Sequence, residues 1–263
     1  MTAIHPSSAG KRMPVVFIGH GSPENALEDN AFTRNWKSLA GSIPRPKAIL
    51  SISAHWLTEG TAVTGMPQPR TIHDFYGFPE PLNQYRYPAA GSPDTAARIV
   101  QTVAAVRVHT DAEWGLDHGT WSVLAQMYPR ADIPVVQMSL DYSLPPARQY
   151  QIGRELQPLR DQGILILGSG NLVHNLMAVD FHAEPFPWAL EFDGFVERAL
   201  AARDDDALIR YNREPSAHLA HPTFDHYLPL LYVLGAGGQE PPRQFNGGIF
   251  AGSVGMRCAV FGE

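Results

Sequence analysis

Short apolar runs of strand length constrain this fold more than any other feature. They cover 14–19, 47–54, 61–65, 106–109, 133–140 and 163–169, each bounded by glycine, proline or polar residues. Several are apolar on both faces, the pattern of strands covered by helices on two sides. Helical spacing recurs between them. Phe32, Trp36, Leu39 and Ala40 mark a helix over 29–40, which Gly41 and Pro44 stop. Proline near the start favours helices over 93–103 and 145–161. Further helices are expected over 188–203 and, as an amphipathic one, 223–234, with a closing strand pair in 247–261. No repeat or linker divides the 263 residues. The alternation predicts an α/β fold: a single domain over 13–263, with a central, largely parallel or mixed sheet flanked by helices. Residues 1–12 read as a disordered tail.

The formal charge of −6 offers no electrostatic footprint for nucleic acid or an anionic membrane. The single cysteine, Cys258, sits in an apolar run, so it excludes an intrachain disulfide and a thiolate zinc site and reads as a small buried hydrophobe. No run approaches the ~18 apolar residues of a membrane helix, and the first residues lack the apolar segment of a signal peptide. A cytoplasmic protein is expected. Residues 66–93 carry Pro67, Pro69, Pro79, Pro81, Pro88 and Pro93, interleaved with Phe75, Tyr76, Phe78, Tyr85 and Tyr87. Such a segment is either a binding loop or a crossover that packs its own aromatics.

Three of the strand-like runs lead into histidine. His20 follows Val15–Gly19, His55 follows Ala48–Ala54, and His174 follows the 163–169 run through Gly168-Ser169-Gly170-Asn171. In open α/β sheets ligands bind outside the carboxyl ends of the strands. His20 lies between Gly19 and Gly21, which permits close approach of a ligand. The Asn171 turn reads as a helix start whose N-terminus would keep His174 neutral. His118, in Asp117-His118-Gly119-Thr120-Trp121, precedes a helix, and Asp117 is placed to orient it. His226 falls in the first turn of the 223–234 helix. Of the other histidines among the eleven, His5, His182, His218 and His221 read as exposed and His109 as structural. Neutral imidazole suits zinc, iron, copper and nickel. There is no HExxH pair, no glycine-rich phosphate loop and no GxSxG elbow.

Six motifs occur in order: Gly19-His20-Gly21-Ser22-Pro23, Ser53-Ala54-His55-Trp56, Thr71-Ile72-His73-Asp74-Phe75-Tyr76-Gly77-Phe78-Pro79, Asp117-His118-Gly119-Thr120-Trp121, Gly168-Ser169-Gly170-Asn171-Leu172-Val173-His174-Asn175 and His226-Tyr227-Leu228-Pro229-Leu230. Together they resemble the DODA-type (4,5-DOPA) extradiol dioxygenases of the class III, LigB-like ring-cleavage enzymes, from about residue 13 to the C-terminus. The resemblance implies a non-haem Fe(II) enzyme that opens a catechol such as L-DOPA with O2, as monomer or homodimer. It implies His20, His55 and His226 as metal ligands. His226 stands where the wider class has a glutamate, a departure from the two-histidine, one-carboxylate triad that also admits Zn(II). His174 is implied as acid/base or fourth ligand, and His118 as a second catalytic histidine. His73, Phe75, Tyr76 and Ser22 are expected around the substrate. Two alternatives stay open: a zinc-dependent hydrolase using the same pocket, and a non-catalytic LigB-fold binding protein.

Overall fold

A computed structural model describes residues 12–263. The expected tail, His5 included, therefore lies outside the described residues except for Arg12, which pairs with Asp161 at 3.3 Å and Glu240 at 3.6 Å.

Eight strands form, seven from the expected runs and β7 outside them: β1 Val15–Gly19, β2 Ala48–Thr58, β3 Thr61–Thr64, β4 Val108–Asp111, β5 Val135–Asp141, β6 Ile164–Gly170, β7 Pro242–Phe245 and β8 Cys258–Phe261. They make one sheet in the order β4-β3-β5-β2-β6-β1-β8-β7. Its centre, β5-β2-β6-β1, is parallel. β3 joins β5 antiparallel and holds β4 parallel to itself. β8 and β7 close the other edge antiparallel. The sheet is mixed with a parallel heart.

The two-residue period of a strand distributes each run between two cores. Val15, Phe17, Leu50, Ile52, Ile164 and Ile166 face one, and Val16, Ile18, Ile49, Leu165 and Leu167 the other. Helices α1 Ala31–Ser42 and α3 His118–Met127 cover the second face with Trp36, Leu39, Val123 and Leu124. Helices α2 Pro93–Thr102, α4 Pro146–Asp161, α5 Pro187–Ala202 and α6 Leu228–Gly237 serve the first.

Three local expectations are corrected. β2 does not stop at residue 54 but runs to Thr58, with a register shift against β5 between Ile52 and Leu57. Such an irregularity re-aims side chains, and His55 lies within it. α6 begins at Leu228 rather than 223, with Pro229 in its first turn, where the missing N–H costs nothing. It is not amphipathic: every residue is buried, between the sheet and α4. The 247–261 segment holds a small hairpin, Ile249–Phe250 with Val254–Gly255, before β8. Residues 66–93 pack their aromatics, as in the crossover reading, around short elements. Arg70–Thr71 pairs with Gly115–Leu116, Glu80–Asn83 forms one helical turn, Tyr85 stacks on Trp121, and the Tyr87 hydroxyl donates to the Tyr128 carbonyl at 2.9 Å. That aromatic packing fixes the segment that crosses the site.

Candidate metal centre

The carboxyl ends of β1, β2 and β6 open into a cavity of about 440 Å³. His20, His55, His118, His174 and His226 all line it, beside Ser22, Glu24, Asp74, Phe75, Tyr76 and Phe78. Five imidazoles from five segments thus meet in one place. Two triplets are close-set: one nitrogen from each of His20, His55 and His118 lies within 4.8 Å of the others, as do ligand atoms of His174, Asp225 and His226. The triplets adjoin, since the ring centroids of His20 and His55 lie 5.3 Å and 4.9 Å from that of His226. A larger groove of about 820 Å³, between α1 and the C-terminal end of α3, lies at the opposite edge of the sheet and contains no histidine.

Local structure explains each placement. Gly21 adopts φ +63°, a left-handed conformation that costs glycine little, and lets the chain turn immediately after His20. Gly119 lies against the Ser53 hydroxyl and the His55 ring, so no larger residue fits between His55 and His118. His118 opens α3, which Asp117 caps by accepting from the Thr120 N–H at 3.1 Å. The segment bearing His226 is tied to β6 by the Asn171 N–H, which donates to the His226 carbonyl at 3.0 Å. His174 is not at a helix N-terminus. It forms an isolated bridge with Val254, and only a short turn, Leu176–Ala178, follows. Its pKa is lowered to about 4 by burial, not by a helix dipole.

The hydrogen-bond partners orient the rings. Ser169 Oγ donates its only proton to the Gly119 carbonyl at 2.5 Å. It therefore accepts from His20 Nδ1 at 3.0 Å, which leaves His20 Nε2 with a bare lone pair. The His226 Nδ1 edge sits against the Asp225 carboxylate, and His226 Nε2 is buried with no protein partner. His55 Nδ1 faces Asp74 at 3.4 Å, while its Nε2 faces His20 Nε2 at 3.2 Å. Imidazoles backed on one nitrogen by a carboxylate or hydroxyl and left bare on the other are what a divalent cation requires. The donor set therefore fits a metal ion. Burial first, then mutual repulsion, holds the pKa values of His20 and His226 well below normal; for His55 burial is again first, then His118. All three rings are neutral and able to ligate.

Asp74 links two of the histidines. Its Oδ2 lies 3.0 Å from His118 Nδ1, and its Oδ1 accepts the His118 backbone N–H at 2.9 Å. Burial alone would raise its pKa, but the hydrogen bond and charge of His118, and then His55, lower it. Asp74, not Asp117, is thus the carboxylate that orients His118. Asp117 is spent on the helix cap, on Ser53 (2.7 Å) and on Gln137. The His174 ring stacks on His226 with centroids 3.4 Å apart and planes 9° from parallel.

Of the residues expected around the substrate, Phe75, Tyr76 and Ser22 line the cavity. His73 does not. Asp74 turns inward, whereas the His73 ring packs near Trp121, its Nε2 2.9 Å from the Tyr85 carbonyl. The Ser22 hydroxyl donates to Glu24 at 3.1 Å and accepts from the Glu24 N–H at 3.2 Å, which gives no sign of a histidine-activated nucleophile. Reading the sequence alone missed Asp74, Ser169, Asp225 and Glu24. Asp74 and Ser169 stood inside quoted motifs, and Asp225 beside one, yet nothing in residue order told which way each side chain points.

Over 258 residues the chain is 50% identical to the 4,5-DOPA dioxygenase extradiol of Escherichia coli K12, covering 95% of each chain. It is 39% identical to the 4,5-DOPA dioxygenase extradiol of Beta vulgaris over 89% of this chain and 92% of that one. The crystal structure of an uncharacterized protein of Escherichia coli K12 superposes with a TM-score of 0.83 at 46% identity, over 95% of this chain and 100% of that one. Residues 13–255 match the family described as the catalytic LigB subunit of aromatic ring-opening dioxygenase. The chain belongs to that family.

Proposed function

We propose that this extradiol dioxygenase uses a non-haem Fe(II), held by Nε2 of His20, His55 and His226, to open the ring of a catechol such as L-DOPA with O2. The observation that carries the ligand assignment is that each of these rings is backed at Nδ1, by Ser169, Asp74 and Asp225, while the Nε2 atoms of His20 and His55 face each other at 3.2 Å and that of His226 has no protein partner. Bound there, Fe(II) would supply Lewis acidity toward the catechol hydroxyls and a meeting point for ring and O2.

The chain's own residues supply the rest. Phe75 and Phe78 offer flat apolar walls to an aromatic ring and exclude water from it. His118, oriented by Asp74, is placed to take a catechol proton and return it. His174, neutral and stacked on His226, serves as the second proton carrier rather than a fourth ligand, which leaves room for catechol and O2. The same neutral imidazoles suit zinc, so purified protein is expected to carry either metal, with activity only from iron.

The test is anaerobic loading with Fe(II), addition of L-DOPA, then admission of air. A yellow ring-opened product that forms only with O2 is expected, and its cyclised form reports the bond opened: betalamic acid for 4,5 cleavage, muscaflavin for 2,3. Turnover of an ester, amide or phosphate by zinc-loaded protein without O2, and of no catechol, would replace this reading with a hydrolase. Binding without turnover of any of these would favour a non-catalytic protein.

A further inference from the structure

The metal cavity has a charge asymmetry. Among the described residues no lysine or arginine lines it, and apart from Asp74, which the histidines occupy, its one charged side chain is Glu24. Arg86 in the aromatic loop donates to the Tyr85 carbonyl at 3.2 Å and does not reach the cavity. Glu24 sits half-buried in the turn after Ser22. Its carboxylate accepts from the Ser22 hydroxyl and, among the described residues, takes part in no ion pair with a basic side chain. Beyond it the cavity continues into a trough of about 360 Å³ that shares Ser22, Glu24 and Phe250 with it. The trough adds Glu28, Asn25 and Asn30, and again no cation.

We infer that Glu24 determines specificity, selecting catechols whose side chain carries an ammonium or other cation and disfavouring those whose only charge is a carboxylate. The inference rests on the catechol reading above and deepens it. With the ring at the histidines, a tail of two or three carbons leaves toward the open side, where it meets Glu24 before the Glu28 trough. An ammonium there gains a charge-assisted hydrogen bond in a partly desolvated site. A carboxylate meets a like charge with no counter-ion. An amino-acid catechol is accommodated with its ammonium on Glu24 and its carboxylate toward solvent.

The test is equilibrium binding, independent of turnover. Zinc-loaded protein is titrated calorimetrically under argon at pH 7 with dopamine, dihydrocaffeate and methylcatechol, which carry a cationic, an anionic and a neutral tail. Dopamine is expected to bind about tenfold more tightly than dihydrocaffeate, as a partly exposed attraction and a matching repulsion together allow. Glu24→Gln, matched in shape, should bring the two within about twofold, and Glu24→Lys should reverse their order. Equal affinities in the wild type, or a preference that survives Glu24→Gln, overturn the inference while methylcatechol binding leaves the catechol reading standing. If none of the three binds, both fall together.

Discussion

The Ser169 hydroxyl has one proton, and the Gly119 carbonyl takes it. At residue scale this decides which nitrogen of His20 is bare, and hence which atom is offered to a metal. The same logic separates the histidines by role. His20→Ala, His55→Ala and His226→Ala are each expected to lose stoichiometric metal by elemental analysis. His118→Ala and His174→Ala are expected to keep metal and fold yet lose activity by about a hundredfold to ten-thousandfold, the range for a positioned proton carrier. A metal-replete, fully active His226→Ala protein would show that the ligand set is wrong. Asp74→Asn should follow the His118 variant more closely than the ligand variants, because its shorter contact is to His118. The flanking glycines make His20 legible in the sequence, since a close-packed ring needs neighbours without side chains, and His118 is legible from its place at a helix start. The partners Asp74, Asp225 and Ser169 were not legible. Choosing Asp74 over His73 depends on which of two adjacent side chains turns inward, a matter settled by the packing of Tyr85 and Trp121.

At the scale of elements, the parallel strands bring the histidines to one edge and the helices hold that edge still. α4 and α6 approach closely at Gly153 and Gly235. A methyl group on Gly153 would run into the Tyr232 carbonyl, and one on Gly235 into the Tyr150 carbonyl. Gly153→Ala or Gly235→Ala is therefore expected to cost about 2 kcal/mol or more, seen as a lower midpoint in urea unfolding. A neutral or stabilising outcome would contradict this account of the packing. The central strands and most helices are readable from apolar spacing, because a strand buried on both faces has no other way to look; the edge strand β7, only partly buried, is not. Nor are two further features. The β2 irregularity between Ile52 and Leu57 leaves no mark in composition, yet it lies around His55. The spacing of Phe224 and Tyr227 puts the start of α6 five residues early, on residues that the chain spends on a turn.

Across the whole molecule, the site concentrates buried neutral imidazoles, and this sets an acid limit. His221, behind the centre, donates from Nε2 to the Leu172 carbonyl at 2.9 Å, and burial lowers its pKa to about 4. Its unfolded value is about 6.5, so between these values the unfolded chain binds the extra proton. The stabilising contribution is complete above about pH 6.5 and is lost as pH falls toward 4, by about 3 kcal/mol at most for this one group. Metal-free protein should therefore lose stability steadily over that window in urea titrations, and a flat profile would show that these rings are not buried neutral. Conversely, burial pushes the Cys258 thiol up to about 12, so it should resist alkylation until the chain unfolds. In the proposed function, His20, His55 and His226 hold an iron that lets the molecule join O2 to a catechol ring. The most direct measurement is the O2 consumed per catechol by Fe(II)-loaded protein in an oxygen electrode. A ratio of about one O2 per catechol opened, abolished in His226→Ala, is the predicted result; catechol loss without O2 uptake, or equal uptake by the His226→Ala protein, would contradict it.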